Sequence, residues 1–179
     1  MTDPPEPIKA ELLTGNAPAK IWDGLCEQAR VLGWEVVRES PHTPRANGEC
    51  DPTDHKVRIE PTNPPLQQLK TLLHEVAGHI RLGHTDNYIA YRSHRGQYEC
   101  EAEGVAYIVA DALELDTSAY SVVYGAGWLQ GRDIDTIRET SERVIQAARV
   151  TLDDLGLNQE SERETAPVLA LTRGTTWAG

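Results

Sequence analysis

The stretch LLHEVAGHIRLGH, residues 72–84, constrains the fold of this chain more than any other part of the sequence. It carries histidines at positions 74, 79 and 84. The residues Asn63-Pro64-Pro65 before it supply a typical N-cap and a proline at the first helical position. Apolar residues then recur at helical spacing: Leu66, Leu69, Leu72, Leu73, Val76, Ala77 and Ile80. The sequence therefore predicts that the histidines lie on one long, well-packed helix.

The spacing of the histidines decides whether this helix can bind a metal. In zinc peptidases, two histidines four residues apart project from one helical face, and the glutamate after the first is the general base toward the metal-bound water. Here Glu75 follows His74, but His79 lies five positions beyond His74. On an α-helix, positions i and i+5 differ by roughly 140°. The two histidines would diverge on a regular helix.

Two alternatives resolve this spacing. A π-bulge accommodates one extra residue and realigns i with i+5, and such bulges are frequent at functional sites. Gly78 lies inside the interval and lowers the steric cost of an irregular backbone. On a regular helix, the aligned pair is instead Glu75 and His79, four residues apart, which leaves His74 out of the site.

A third protein ligand is expected on the following helix, where QYECEAEG offers three glutamates. Two histidines and one glutamate leave a fourth position for water, which is the catalytic arrangement of zinc. Glu101 lies within a turn of Ala102 and Val105, which are predicted to face inward, and is therefore the predicted ligand. For Glu99 and Glu103 we predict only that they complement the helix dipole.

The remaining pattern predicts an α+β chain with a mainly helical core. Helices are predicted over 17–32, 64–80 and 97–115, and a last helix is capped by Asp133 and ends before Gly156. Strands are predicted over 34–39 and 54–61, joined by a turn, as a small antiparallel sheet. We expect a flexible lead-in over 1–15, one domain over 16–156 and a polar tail over 157–179.

Composition excludes several classes of protein. The net charge of −11 and the absence of a Lys/Arg cluster argue against direct nucleic-acid binding. No apolar run approaches the roughly 20 residues that span a bilayer, and the first residues do not resemble a signal peptide. The three widely spaced cysteines fit reduced thiols. We expect a cytoplasmic protein that does not bind membranes.

The motifs together resemble the ImmA/IrrE-type metallopeptidase family, and most closely the peptidase half of ArdC-like antirestriction proteins. The resemblance covers residues 20–155 and rests on KTLLHEVAGHIRLGH, HRGQYECEAEGVAY and LDTSAYSVVYGAGW. It implies a zincin-like fold with an active-site helix, His74, His79 and Glu101 as ligands of Zn²⁺, and Glu75 as general base. The extra residue before His79 departs from the family pattern. His84 matches a later family histidine, which we predict to be a helix-end residue.

Three hypotheses follow from these residues. The first is a zinc-dependent endopeptidase that hydrolyses a peptide bond, in which Tyr124 or Tyr98 stabilises the transition state and the strand at 54–61 pairs with the substrate. The family analogy points to a regulatory protein, such as a transcriptional regulator, as substrate. The second is a degenerate zincin that acts as a non-catalytic protein-binding or antirestriction-like module. The third is a structural metal site closed by His84 or a cysteine.

Overall fold

Helices dominate the part of the chain that the structure describes. The computed structural model describes residues 12–115 and 132–157. The helices are α1 (Ala19–Val31), α2 (Pro65–Leu72), α3 (Tyr88–Ala112) and α4 (Ile134–Asp154), and a π-helical segment, Leu73–Ile80, continues directly from α2. Asp133 caps α4 as predicted, because its Oδ1 accepts the backbone N–H of Thr136 at 2.9 Å. The predicted α+β class is confirmed.

The sheet is mixed, and the prediction that its two predicted strands pair antiparallel is wrong, because these two strands run parallel to each other. Its strands β1 (Glu35–Val37), β2 (Gly48–Asp51) and β3 (Lys56–Ile59) lie in the order β1-β3-β2. β3 is parallel to β1 and antiparallel to β2. Parallel neighbours need a crossover connection, and the segment predicted to be a turn supplies it and contains β2.

The position of β3 also corrects the predicted substrate strand. β3 is hydrogen-bonded on both sides, to β1 and to β2. Pairing with an added peptide strand requires a free edge, which β3 lacks. The edge strand that contacts the π-helical segment Leu73–Ile80 is β2.

The π segment lies in the middle of the hydrophobic core. Its Leu73, Val76 and Ala77 are fully buried, and the segment contacts α1, α3, α4 and β2. Because the segment is enclosed on several sides, its irregular backbone is held in place by packing rather than by helical propensity.

α3 begins nine residues earlier than predicted. Asn87 caps it by accepting the backbone N–H groups of Ile89 and Ala90, both at 3.0 Å. His94, with φ −119° and ψ 19°, bends the helix. The first part of α3 is rich in exposed polar residues, so it carries no apolar stripe that could have predicted it.

The predicted lead-in and tail fall almost entirely outside the described residues. Within 12–115 and 132–157, no helix has both the length and the apolar character required to cross a bilayer.

Candidate metal centre

The π segment brings His74 and His79 together. Their Nε2 atoms lie 3.1 Å apart. The backbone bonds are of the i to i+5 type, since the N–H of Arg81 donates to the carbonyl of Val76 at 3.2 Å and the N–H of His84 donates to that of His79 at 2.9 Å. The π-helical alternative is therefore confirmed, and the rival pairing of Glu75 with His79 on a regular helix does not occur.

Glu99 completes a three-ligand group with the two histidines. Its Oε2 lies 3.4 Å from Nε2 of His74 and 3.8 Å from Nε2 of His79, and all three atoms lie within 4.8 Å of one another. Zinc–ligand bonds of about 2.0–2.1 Å place tetrahedral ligands about 3.3 Å apart. The observed separations match one face of such a tetrahedron, so these residues fit a zinc ion.

Glu101 does not join this group, although the sequence predicted it as the third ligand. It is fully buried, as expected from its neighbours Ala102 and Val105. Its Oε2, however, lies 2.8 Å from Nε2 of His84, and its Oε1 accepts a hydrogen bond from Gln97 at 3.0 Å. Glu99, two residues earlier on α3, takes the predicted place.

His74 is supported by a buried ion pair. Its Nδ1 lies 3.1 Å from Oε2 of Glu103, and the same oxygen lies 2.6 Å from Nζ of Lys70. Burial opposes the charged imidazole, but hydrogen bonds with Glu103 and Glu99 outweigh this and raise the pKa of His74 to about 9. Burial would raise the pKa of Glu103, yet the bond with His74 and the charge of Lys70 lower it to about 2. Glu103 therefore does more than complement a helix dipole.

His79 is supported by another histidine. Nδ1 of His79 lies 3.0 Å from Nδ1 of His84, which is buried and stacks on the ring of Tyr98 with 4.1 Å between centroids. Burial lowers the pKa of His84, against the opposing effect of its hydrogen bond with Glu101. The prediction that His84 is only a helix-end residue did not include this contact with His79. His84 also meets His79 at Nδ1 rather than at the Nε2 that faces Glu99, so it cannot close a four-ligand site there.

The hydrogen bonds at the Nδ1 atoms of His74 and His79 determine whether each Nε2 atom carries a proton or a lone pair. A neutral imidazole has one N–H and one lone pair. If each Nδ1–H is donated outward, two lone pairs face each other across 3.1 Å, beside a carboxylate. Only a cation makes that arrangement favourable. In the absence of metal this cation is a proton on His74, in keeping with the raised pKa of that residue. A divalent ion would replace this proton.

Glu75, the predicted general base, is buried beside the group. It is 7% exposed and lines a cleft of about 450 Å³ together with His74, His79 and Glu99. Gly48 of β2 lies next to it, because a Cβ built on Gly48 would come 3.3 Å from Oε1 of Glu75. The carboxylate thus lies between the metal ligands and the edge strand.

A tyrosine outside the set of predicted site residues also reaches the group. The hydroxyl of Tyr91 donates to Oε1 of Glu99 at 2.5 Å, and its ring packs edge-on against His79 with 5.8 Å between centroids. Burial and this bond raise the pKa of Tyr91, so it stays a donor. Of the predicted tyrosines, Tyr98 packs on His84 and Tyr124 lies outside the described residues.

Close contact between the π segment and α3 holds the ligands of the two helices together. A Cβ on Gly78 would lie 2.7 Å from Cα of Ala102. Such a distance is far inside van der Waals contact, so only glycine fits there. Gly78 was expected to ease the irregular backbone, and the structure shows that it permits this close approach.

A second group of potential ligands includes Glu49, which also lines the cleft. Nδ1 of His42 is 3.3 Å from Glu49 and 3.6 Å from Asp51. The His42 side chain is 65% exposed, and Asp51 also pairs with Arg58 at 3.4 Å. A hydrogen bond between this solvent-exposed histidine and Glu49, with a longer contact to Asp51, accounts for the arrangement.

Comparison with known proteins adds no relative to this geometry. No protein-family model matches the chain, and neither a curated protein nor a solved structure matches it significantly. The resemblance to ImmA/IrrE-type peptidases remains a prediction from the motifs.

Proposed function

We propose that the protein is a zinc-dependent endopeptidase whose metal is held by His74, His79 and Glu99. The observation that carries this proposal is the match between the separations of the three ligand atoms and one face of a zinc tetrahedron. Two histidines and one carboxylate leave room for a substrate or water ligand. Bound zinc would act as a Lewis acid that polarises a carbonyl oxygen and acidifies water.

Glu75 is the proposed general base. Its carboxylate lines the same cleft as the ligands and is largely shielded from bulk water. From that position it can accept the proton of the attacking water and return it to the leaving amine. Tyr91 is the described tyrosine closest to the role first considered for Tyr124, because its hydroxyl lies at Glu99 and remains protonated.

The edge of β2 is the proposed seat of an extended peptide. Gly48 and Glu49 line the cleft, and β2 has β3 as its neighbour in the described sheet on one side only. An added strand would run past Glu75, since Gly48 lies against that carboxylate. A regulatory protein with an accessible extended segment is the substrate class that this proposal favours.

A non-catalytic binding module was the alternative. Its premise was that the extra residue turns His79 away from His74. The two Nε2 atoms are 3.1 Å apart, so this premise no longer supports it.

Zinc content of protein purified without chelator tests the metal centre. We expect about one zinc per chain in the wild type, and loss of zinc in His74→Ala, His79→Ala and Glu99→Ala. Asp111→Ala, which removes an exposed carboxylate from the same helix, is the control and should retain zinc. Little zinc in the wild type, or equal loss in Asp111→Ala and Glu99→Ala, would contradict the proposed ligand set.

Catalysis needs a separate test. A random peptide library, with cleavage read by mass spectrometry, should be cut by the zinc-loaded wild type and not by Glu75→Gln, which should retain zinc. Equal cleavage by the two proteins would exclude Glu75 as the base.

A further inference from the structure

We infer that His84 and Glu101 are a positioning pair that fixes the tautomer and orientation of His79, so that Nε2 of His79 presents a lone pair to the metal. This inference rests on the proposed metal centre. It gives a function to two buried residues that neither bind the metal nor line the cleft with Glu75.

The direction of the hydrogen bonds follows from Glu101. A carboxylate only accepts, so Nε2 of His84, at 2.8 Å, must carry the proton that it donates. Arg143 already places positive charge 3.3 Å from the same oxygen, and Gln97 donates to the other oxygen. Glu101 therefore has a countercharge without a charged His84.

A neutral His84 with its proton on Nε2 has its lone pair on Nδ1. That atom faces Nδ1 of His79 at 3.0 Å, so Nδ1 of His79 must be the donor. The remaining nitrogen of His79, Nε2, then has a lone pair directed at His74 and Glu99. The chain Glu101–His84–His79 thus selects the tautomer that can bind a metal.

The rings are also held in place. His84 is 2% exposed, Glu101 is fully buried, and the flat face of His84 lies on Tyr98. Buried partners that orient a metal-binding histidine are worth about 10–100-fold in metal affinity. In this protein the partner of His79 is a second histidine, His84, and the carboxylate of Glu101 contacts His84 and not His79 itself.

The ¹⁵N chemical shifts of the imidazoles in metal-free wild type test the tautomers directly. We expect His84 to show a protonated Nε2 and an unprotonated Nδ1, and His79 to show a protonated Nδ1. A His84 with both nitrogens protonated, or with its proton on Nδ1, would overturn the inference. This measurement needs neither bound metal nor a variant that folds.

Zinc affinity, measured against a competing chelator, tests the consequence. His84→Phe keeps an aromatic ring on Tyr98 but offers no acceptor, and should weaken zinc binding by about 10–100-fold. His84→Asn can present its amide oxygen to Nδ1 of His79 and should recover most of the loss. Tyr107→Phe, which changes an exposed tyrosine of the helix that carries Tyr98, is the control and should change affinity by less than about twofold.

The outcomes separate this inference from the proposed function. Equal zinc affinity in the wild type and His84→Phe would overturn the positioning role while the metal centre stands. Absence of zinc binding in the wild type would overturn the metal centre, and the imidazole shifts would then decide the inference alone.

Discussion

The two histidines of the candidate metal centre are held in different ways. His74 contacts a carboxylate directly, and the ion pair of Glu103 with Lys70 lies behind it. His79 contacts a histidine, and its carboxylate, Glu101, is one ring further away. We call these the His74 arm and the His79 arm.

The difference concerns where charge resides before metal binds. In the His74 arm a carboxylate touches the ligand ring and favours its protonated form. In the His79 arm burial lowers the pKa of the intervening ring, His84, and favours its neutral form. The ring behind His79 is thus neutral before metal binds, whereas His74 would exchange a proton for a bound metal ion.

The largest expected effect is on folding, from breaking the His74 arm. Glu103→Ala removes both the ion pair to Lys70 and the contact with His74, in a site where Glu103 is 3% exposed. Removing one partner of a buried pair costs about 3–5 kcal/mol. Urea denaturation in chelator should show that loss. Asp111→Ala, an exposed carboxylate on the same helix, is the control, and an equally small change in both would contradict the role of Glu103.

Only part of the His74 arm could be derived from the sequence. The five-residue spacing, together with Gly78, predicted a π-helical repair, and the structure confirms it. The spacing alone could not choose between that repair and a regular helix. Burial among α1, α3 and β2 decides the choice, and this packing is not encoded in local periodicity.

The choice among the three glutamates of α3 shows what helical periodicity could not predict. Apolar neighbours correctly predicted that Glu101 is buried. They could not tell which histidine it would meet, because that depends on how α3 crosses the π segment at Gly78 and Ala102. Glu99 and Glu103 lie two residues to either side of Glu101, and both reach His74.

The charge difference between the arms predicts a pH-dependent stability of the metal-free protein. The pKa of His74 rises from 6.5 in the unfolded chain to about 9 in the folded chain. The contribution of His74 to the free energy of unfolding is therefore fully present below pH 6.5 and is lost as pH rises through about 9. At about 1.4 kcal/mol per pKa unit, the loss is about 3 kcal/mol.

Chemical denaturation between pH 6 and 10 checks this expectation. His74→Asn in chelator should show a flatter profile in that window. The zinc-loaded wild type should be flatter too, because its His74 is deprotonated at the outset. A metal-free wild type whose stability does not fall between pH 7 and 9 would contradict the assignment of the charge to His74.

Both arms depend on the same helix contact, which Gly78→Ala disturbs. The new Cβ would lie 2.7 Å from Ala102, and such overpacking costs about 1–3 kcal/mol. We expect zinc affinity to fall as well, because α3 carries Glu99 and the carboxylates of both arms. Gly104→Ala is the matched control, since its Cβ meets only a Val144 side chain at 3.1 Å. Equal stability and zinc affinity in the two variants would show that the close approach is not required.

The smallest expected effect tests how far the His79 arm depends on charge. Arg143 lies 3.3 Å from Oε2 of Glu101, but its side chain is 47% exposed. Such a solvent-exposed partner contributes about 0–1 kcal/mol, and hydrogen bonds from Gln97 and His84 still hold the carboxylate. Arg143→Ala should therefore lower the free energy of unfolding by less than about 1 kcal/mol.

Arg138→Ala is the control for this variant, because Arg138 lies on the same helix and pairs with the exposed Asp135. The imidazole shifts of His84 should change in Arg143→Ala and not in Arg138→Ala, because only the first alters the charge at Glu101. If Arg143→Ala instead cost as much as Glu103→Ala, Glu101 would depend on an ion pair as Glu103 does. The two arms would then be electrostatically equivalent, and the neutral chain from Glu101 to His79 would no longer explain how His79 is prepared for metal.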